Sequence, residues 1–320
     1  MAEYKGINGT KIQNYTSDPD NPLQGQVWYN ETANTLKYFY VNPGSWSTGN
    51  SLNTGGPTAG AGTNTAALAF GGSPYRVAFT ETWNGTNWTE VNDLTTGRNY
   101  LAGCGTNTAA LAFGGSVPPN SALTETWNGT NWTEVNDLNT GRKRLAGCGT
   151  NTAALAFGGE IPGGSPAITA TESWNGTNWT AVNSMNTARE KSGGIGASNT
   201  SALCFGGIGA SAALTELWNG TNWTEVNDLN TGRSQLGGAG TQTSALGFGG
   251  YLPPVTAATE SWNGTNWTEQ NDLNTARRLM GSAGIQTAAL AFGGLDVSAL
   301  VTATTEAWNA GPVTATITTD

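Results

Sequence analysis

Glutamate recurs at one position in each copy of a repeated sequence: Glu81, Glu125, Glu172, Glu216, Glu260 and Glu306. A ring of carboxylates can bind a divalent cation. It can also divide acid and base work, if neighbours push two carboxylates to different pKa values. The same acids can instead pair with arginines that recur in step, Arg98, Arg142, Arg189, Arg233 and Arg277. Identical copies in every unit favour the architectural role, because catalysis needs unlike groups and no singular cluster stands out. Asp93, Asp137, Asp228 and Asp272 lack the clustered D-x-D pattern of a calcium loop and read as turn residues that bond nearby backbone. Asn-x-Thr triplets, at Asn84, Asn87 and their copies through Asn266, are explained by hairpin turns rather than by glycosylation. The chain contains no histidine, which excludes a Ser-His-Asp triad, a Cys-His dyad and His-ligated zinc. Cys104, Cys148 and Cys204 show no Cys-x-x-Cys spacing and read as small buried hydrophobes. The expectation is a chain with no catalytic residue, no metal and no cofactor.

The repeat determines where these groups lie. The phrase WNGTNWTEVNDLNTGR, or a close variant, returns about every 44 residues across the 320-residue chain. Its first tryptophan is Trp83, Trp127, Trp174, Trp218, Trp262 or Trp308; its second is Trp46, Trp88, Trp132, Trp179, Trp223 or Trp267. A glycine doublet closes a second recurring run, AALAFGG, from Gly71-Gly72 to Gly293-Gly294. This period is the length of one four-stranded propeller blade. In the unit from Arg142, residues 144–149 read as strand A, 153–157 as strand B and 169–174 as strand C. The Asn175-Gly176 turn then leads to a strand D near Trp179. Small residues suit crowded inner strands, and Phe113, Phe157, Phe205, Phe248 and Phe292 can fill the gap between neighbouring blades. No segment has a 3.6-residue apolar period, so no helix is expected.

The predicted fold is all-β: a kelch-like β-propeller of four-stranded antiparallel blades, seven in number, in one domain. Six units carry the glycine doublet, and residues 19–55 are read as a degenerate first blade. There, 36–46 align with the strand C–turn–strand D phrase at 123–132, and 51–55 match 137–141. Residues 26–30 take the place of strand B, and 11–16 that of strand A. At the other end 309–312 are expected to turn the chain so that 313–318 supply the last strand D. Six blades plus an N-terminal hairpin is the alternative. Residues 1–18 are read as a docking arm or first blade strand, 19–320 as the propeller, with regular repeats from about 56.

The glycine doublet after an apolar strand, the tryptophan opening strand D and the arginine entering strand A together resemble the kelch repeat. The resemblance covers about residues 56–309. It departs from the family in having tryptophan for the usual strand C tyrosine, and in its short units. The stretch GQVWYNETANTLKYF resembles a hairpin common in bacteriophage tail and fibre proteins. With the opening AEYKGINGTKIQ it is similar to the start of virion-associated repeat proteins of marine phages. That resemblance implies a structural or host-attachment protein of a phage particle, present in several copies or as an oligomer. It would be bound to other virion proteins through the N-terminal region.

Composition narrows the partners further. A net charge of −9 argues against a phosphate-tracking nucleic-acid binder. No run of about 18 apolar residues predicts a membrane span, and the polar start lacks the apolar core of a secretory signal.

Variation among the units carries the functional expectation. The A–B and C–D turns barely change, whereas the B–C loops (73–79, 116–123, 160–170, 208–214, 251–258 and 295–304) differ in every unit, as do the two residues after each strand A arginine. In an up-down-up-down blade both variable sets fall on one face. The candidate ligand-binding face is therefore Tyr75, Arg76, Phe79, Tyr100, Pro118, Pro119, Lys143, Arg144, Ile161, Glu190, Lys191, Gln235, Tyr251, Pro253 and Arg278. Aromatic, arginine and rigid proline positions suit recognition of a host-surface glycan or protein. The paired tryptophans, with Arg142 and Glu125 as type examples, are the structural positions. A propeller glycosidase and a purely structural decoration protein are the competing readings.

Overall fold

Alternating small and apolar residues, punctuated by Asn-Gly and Gly-Gly, leave the chain only short strands and tight turns. A computed structural model describes residues 12–56, 58–72, 76–118, 120–163, 166–208 and 212–317. Tyr75 and Pro119, two of the expected face residues, lie outside the described residues. No helix occurs among the described residues, so none is long and apolar enough to cross a membrane. The chain forms two compact units, one of residues 45–309 and one of residues 1–44 with 310–320.

The larger unit is a ring of six four-stranded antiparallel blades, a kelch-like propeller. Blade two is typical: Ala102–Thr106, Ala109–Phe113, Thr124–Trp127 and Trp132–Val135 serve as strands A to D. Each strand A contacts the strand A of the next blade, and the sixth returns to the first. The inner strands must be glycine-rich because they meet so closely. A Cβ on Gly147 would stand 2.4 Å from the Phe113 ring of the preceding blade, and one on Gly60 would stand 2.6 Å from the carbonyl of Ser282.

Two tryptophans per blade do different work. The strand C tryptophan bonds within its own blade, and Trp127 donates its Nε1–H to the carbonyl of Asn107 in the A–B turn at 3.0 Å. The strand D tryptophan reaches the preceding blade. Trp132 packs on Phe70 with ring centroids 4.9 Å apart and donates to Thr80 Oγ1 at 2.9 Å. Trp179, Trp223 and Trp267 repeat this bond onto Thr124, Thr171 and Thr215. Each interface thus combines burial of two aromatic rings with a satisfied indole N–H.

The expected seventh blade is not formed and the alternative holds, six blades plus an N-terminal hairpin; the reason lies in how the ring closes. Trp46 does open a strand D, as its alignment with Trp132 predicts, but that strand completes blade six. Residues 45–49, the end of the strand Thr35–Gly49, lie beside the strand Thr305–Thr316. Trp46 packs on Phe248 at 4.9 Å and donates to Thr259 of blade five at 3.1 Å; Trp88 likewise donates to Thr305 of blade six at 2.9 Å. Six such bonds make a full circle. Because position D is filled from the N-terminal side, the predicted turn at 309–312 does not form and Thr305–Thr316 runs straight on.

The smaller unit contains β1 (Gln13–Tyr15), β2 (Val27–Asn30) and the first part of β3 (Thr35–Gly49). β2 and β3 form an antiparallel hairpin, while β1 joins β2 in parallel, a pairing found in no blade. The predicted strand C–turn–strand D within 36–46 is instead one continuous strand. A polar cluster orders this unit: Asp18 accepts from Trp28 Nε1 at 3.1 Å, Asn30 Nδ2 at 2.7 Å and Lys37 Nζ at 2.8 Å.

Candidate functional site

The recurring acids are absorbed by the scaffold. Arg98 meets Glu125 at 3.0 Å, Arg142 meets Glu172 at 2.9 Å and Arg277 meets Glu306 at 3.1 Å, while Arg189 pairs with Glu216 and Arg233 with Glu260. The other carboxylate oxygen accepts a backbone N–H from the turn that leads into the blade, as Glu172 does from Asn139 at 2.7 Å. None of the six glutamates is among the residues lining the axis. The aspartates cap strand C: Asp93, Asp137, Asp228 and Asp272 accept the N–H of Thr80, Thr124, Thr215 and Thr259 at 3.0–3.1 Å. Asn84 and its copies accept two backbone N–H groups inside their own turns. The three cysteines are free and buried, and burial pushes each thiol pKa up.

The two ends of the axis differ. At the end of the constant turns the lining is glycine, alanine, serine and isoleucine with Cys104 and Cys148, and the walls are mostly backbone. At the other end a depression of about 140 Å³ is walled by unlike side chains. Its rim holds Tyr100, Arg144, Lys191, Gln235 and Leu279, one from each of blades two to six. Its floor includes Leu101, Leu145, Ser192, Leu236 and Met280, the residues that follow them.

The rim has an unusual backbone. Tyr100, Arg144, Lys191, Gln235 and Leu279 all have left-handed φ, 54°, 58°, 57°, 59° and 55°. For residues with a Cβ this costs about 1–2 kcal/mol each. A relay of hydrogen bonds offsets the cost: Arg144 N–H donates to the carbonyl of Tyr100, Lys191 to Arg144, Gln235 to Lys191 and Leu279 to Gln235, at 2.7–2.9 Å. The strained conformation presents five different side chains around one opening, and strain of this kind gathers at functional sites.

Charge collects on one side of that opening. Arg144 lies over the Tyr100 ring at 5.1 Å and contacts Glu160 at 2.6 Å and Glu190 at 3.5 Å. Lys143 reaches Glu160 at 3.3 Å and Lys191 reaches Glu190 at 3.6 Å. Burial lowers the Lys191 pKa, and the Arg144 charge adds to the effect. Burial raises that of Glu160, but hydrogen bonds to Glu190 and Lys143 and the nearby cations outweigh it, and the net is a lowered pKa. Three cations face two carboxylates, which leaves one positive charge in excess. On the neighbouring side Arg278 stacks on Tyr251 at 4.8 Å and donates to Gln235 Oε1 at 3.4 Å.

Backbone bridges tie the two variable sets together within blades: Asn99 pairs with Ser116, Lys143 with Glu160, Glu190 with Ile208, Ser234 with Tyr251 and Arg278 with Leu295. The B–C loops and the residues after each arginine therefore share one face, as the topology predicts. Among the expected residues, Tyr100, Arg144, Lys191 and Gln235 meet at the opening, with Lys143, Glu190, Tyr251 and Arg278 in contact around them. Arg76, Pro118 and Pro253 are exposed on the loops, and Ile161 is half-buried. Phe79 is not at the opening: it lines a separate small cavity in blade one beside Glu81. Sequence reasoning omitted Glu160, whose signal is its place directly after a glycine doublet, at the head of a variable loop. It also omitted the exposed apolar residues Ile208, Leu252, Val297, Leu300 and Val301, which lie on the B–C loops of blades four to six.

The chain thus has the architecture of a six-bladed kelch-like propeller. Among solved structures it is similar to YjhT, with a TM-score of 0.65 over 80% of this chain and 95% of that chain, at 12% sequence identity. No protein-family model matches the sequence, and a search of curated proteins returns no match.

Proposed function

We propose that this chain is a non-enzymatic recognition module of a phage particle, a propeller that offers its variable face to a host-surface glycan or protein. The observation that carries the reading is the contrast between the two ends of the axis. One end repeats the same turns around the ring. The other holds five unlike side chains in a strained, hydrogen-bonded rim, with an off-centre charge cluster and exposed apolar loops. Chemical diversity on a constant scaffold serves recognition, and stacked Arg–Tyr pairs are typical anchors. The virion assignment draws on the N-terminal resemblance, which also makes the N-terminal region the contact with other virion proteins in a multicopy assembly.

The test is adsorption to host cells by the isolated protein and by particles carrying variants. Combined Tyr100→Ala, Arg144→Ala and Tyr251→Ala substitution abolishes binding while the thermal transition stays within a few degrees of wild type. Unchanged adsorption, with the variants or with the protein deleted, refutes host recognition and favours a decoration protein.

A further inference from the structure

Blade one departs from the other five at the residue that enters strand A. Blades two to six each have an arginine ahead of strand A; blade one has Gly56. The equivalence is set by the backbone. The carbonyl of Gly56 accepts the N–H of Gly294, as the carbonyl of Arg98 accepts that of Gly72, both at 2.9 Å. Gly56 has φ of 145°, a conformation that side chains rarely adopt, so the substitution is built into the backbone.

Arg98 shows what the arginine does elsewhere. Its guanidinium donates to the carbonyls of Ala112 and Gly114 at 3.2 Å each, to the carbonyl of Leu123, and to Glu125 at 3.0 Å. The corresponding residues of blade one are Ala69, Gly71, Phe79 and Glu81, and all four line one cavity of about 20 Å³. Glu81 is 3% exposed. It accepts from Asn53 N and Nδ2 at 2.9 Å and from Thr54 N at 2.8 Å, a turn that copies those bonding its counterparts. Among the described residues, however, no lysine or arginine pairs with it. A buried carboxylate with no opposing charge is costly, and the cavity has more room than one water needs.

We propose that this cavity is a binding site for a guanidinium group, taken up from outside in place of the side chain that the other five blades carry within the chain. The planar fork with its N–H donors matches the acceptor set that blades two to six already use. A small free guanidinium compound and an arginine side chain presented by a peptide share this chemistry.

Thermal unfolding and titration calorimetry of the full chain test the site. The probes are methylguanidinium and the tripeptide acetyl-Gly-Arg-Gly-amide. Sodium and tetramethylammonium chloride at equal ionic strength are the controls. Methylguanidinium in the low millimolar range gives a saturable rise in Tm of about 2–4 °C, at one site per chain. Glu81→Gln removes it, and Arg98→Gly, which recreates the blade-one arrangement in blade two, raises the stoichiometry from one to two. A response to methylguanidinium alone assigns the site to small compounds; a response to both probes extends it to arginine side chains. The proposal is overturned by the absence of a saturable rise, by an equal rise with sodium or by an unchanged rise in folded Glu81→Gln. If Glu81→Gln does not fold, a stoichiometry of one in Arg98→Gly overturns it.

Discussion

Replacing Trp46 by alanine removes the side chain that locks the ring shut. Trp46 is 6% exposed, packs 4.9 Å from Phe248 and 5.5 Å from Trp308, and donates to Thr259 Oγ1 at 3.1 Å. Truncating a buried tryptophan costs about 3–5 kcal/mol. Transfer arithmetic agrees, since about 150–250 Å² of buried ring at about 25 cal/mol per Å² gives about 4–6 kcal/mol. At about 2 °C per kcal/mol for a chain of this size, Trp46→Ala lowers Tm by about 6–10 °C. Trp46→Phe keeps most of the apolar contact and loses the indole N–H, so it costs about 1 kcal/mol, about 2 °C. Differential scanning calorimetry measures both shifts. Hydrogen exchange read by mass spectrometry then shows whether residues 305–309, the neighbours of that strand, lose protection in Trp46→Ala. A Tm within 1 °C of wild type, or unaltered protection of 305–309, refutes closure by this strand.

Three further outcomes follow from the same geometry. Arg142→Ala strips Glu172 of a cation 2.9 Å away and costs about 3–5 kcal/mol by denaturant unfolding, whereas Arg142→Met combined with Glu172→Leu costs less because no charge is left buried alone. Gly147→Ala sets a methyl 2.4 Å from the Phe113 ring and lowers stability by about 1–3 kcal/mol, read as a lower denaturant midpoint at constant m-value. The Asp18 pKa is held below its ordinary value of 3.8 by its hydrogen bonds to Lys37 and Asn30, so the order it gives the N-terminal unit is fully present above that value and is lost as pH falls through the lower, folded one. The Trp28 indole N–H resonance, followed by NMR, therefore shifts with a midpoint below 3.8, and a midpoint at or above that value contradicts the cluster.

The blade itself was readable from residues. Asn-Gly dictates the C–D hairpin, the glycine doublet ends strand B, and the paired tryptophans around the hairpin mark the packing against the preceding blade. The architectural role of Glu125 and Arg142 was also legible, because groups that repeat with the scaffold are satisfied by the scaffold. Blade number was not. Residues 36–46 carry strand-like residues with an Asn-Pro-Gly segment that suits a turn, and long-range pairing with the strand Thr305–Thr316 keeps it in one continuous strand. The rim of the opening was half legible. Variation singled out Tyr100, Arg144, Lys191 and Gln235. Nothing in their types announces a left-handed backbone, since glycine or asparagine is the usual occupant. Glu160 and the apolar loop residues were missed because recognition surfaces have no period to read.

The way blade six is assembled also sets a timetable. Ser47 Oγ donates to the carbonyl of Ala307, 260 positions further along the chain. At about 5–20 residues per second, a ribosome makes the strand at 45–49 about 13–50 s before its partner exists. Five blades can stack in order as they emerge, but the sixth must wait for residues 45–49 and 305–309 to meet. Until then Trp46 and the faces of blades five and six that it covers leave apolar surface open to solvent. Closing the ring is a capture between segments 45–49 and 305–309, made far apart in time, and it is the step at which one chain can seize the strand of another.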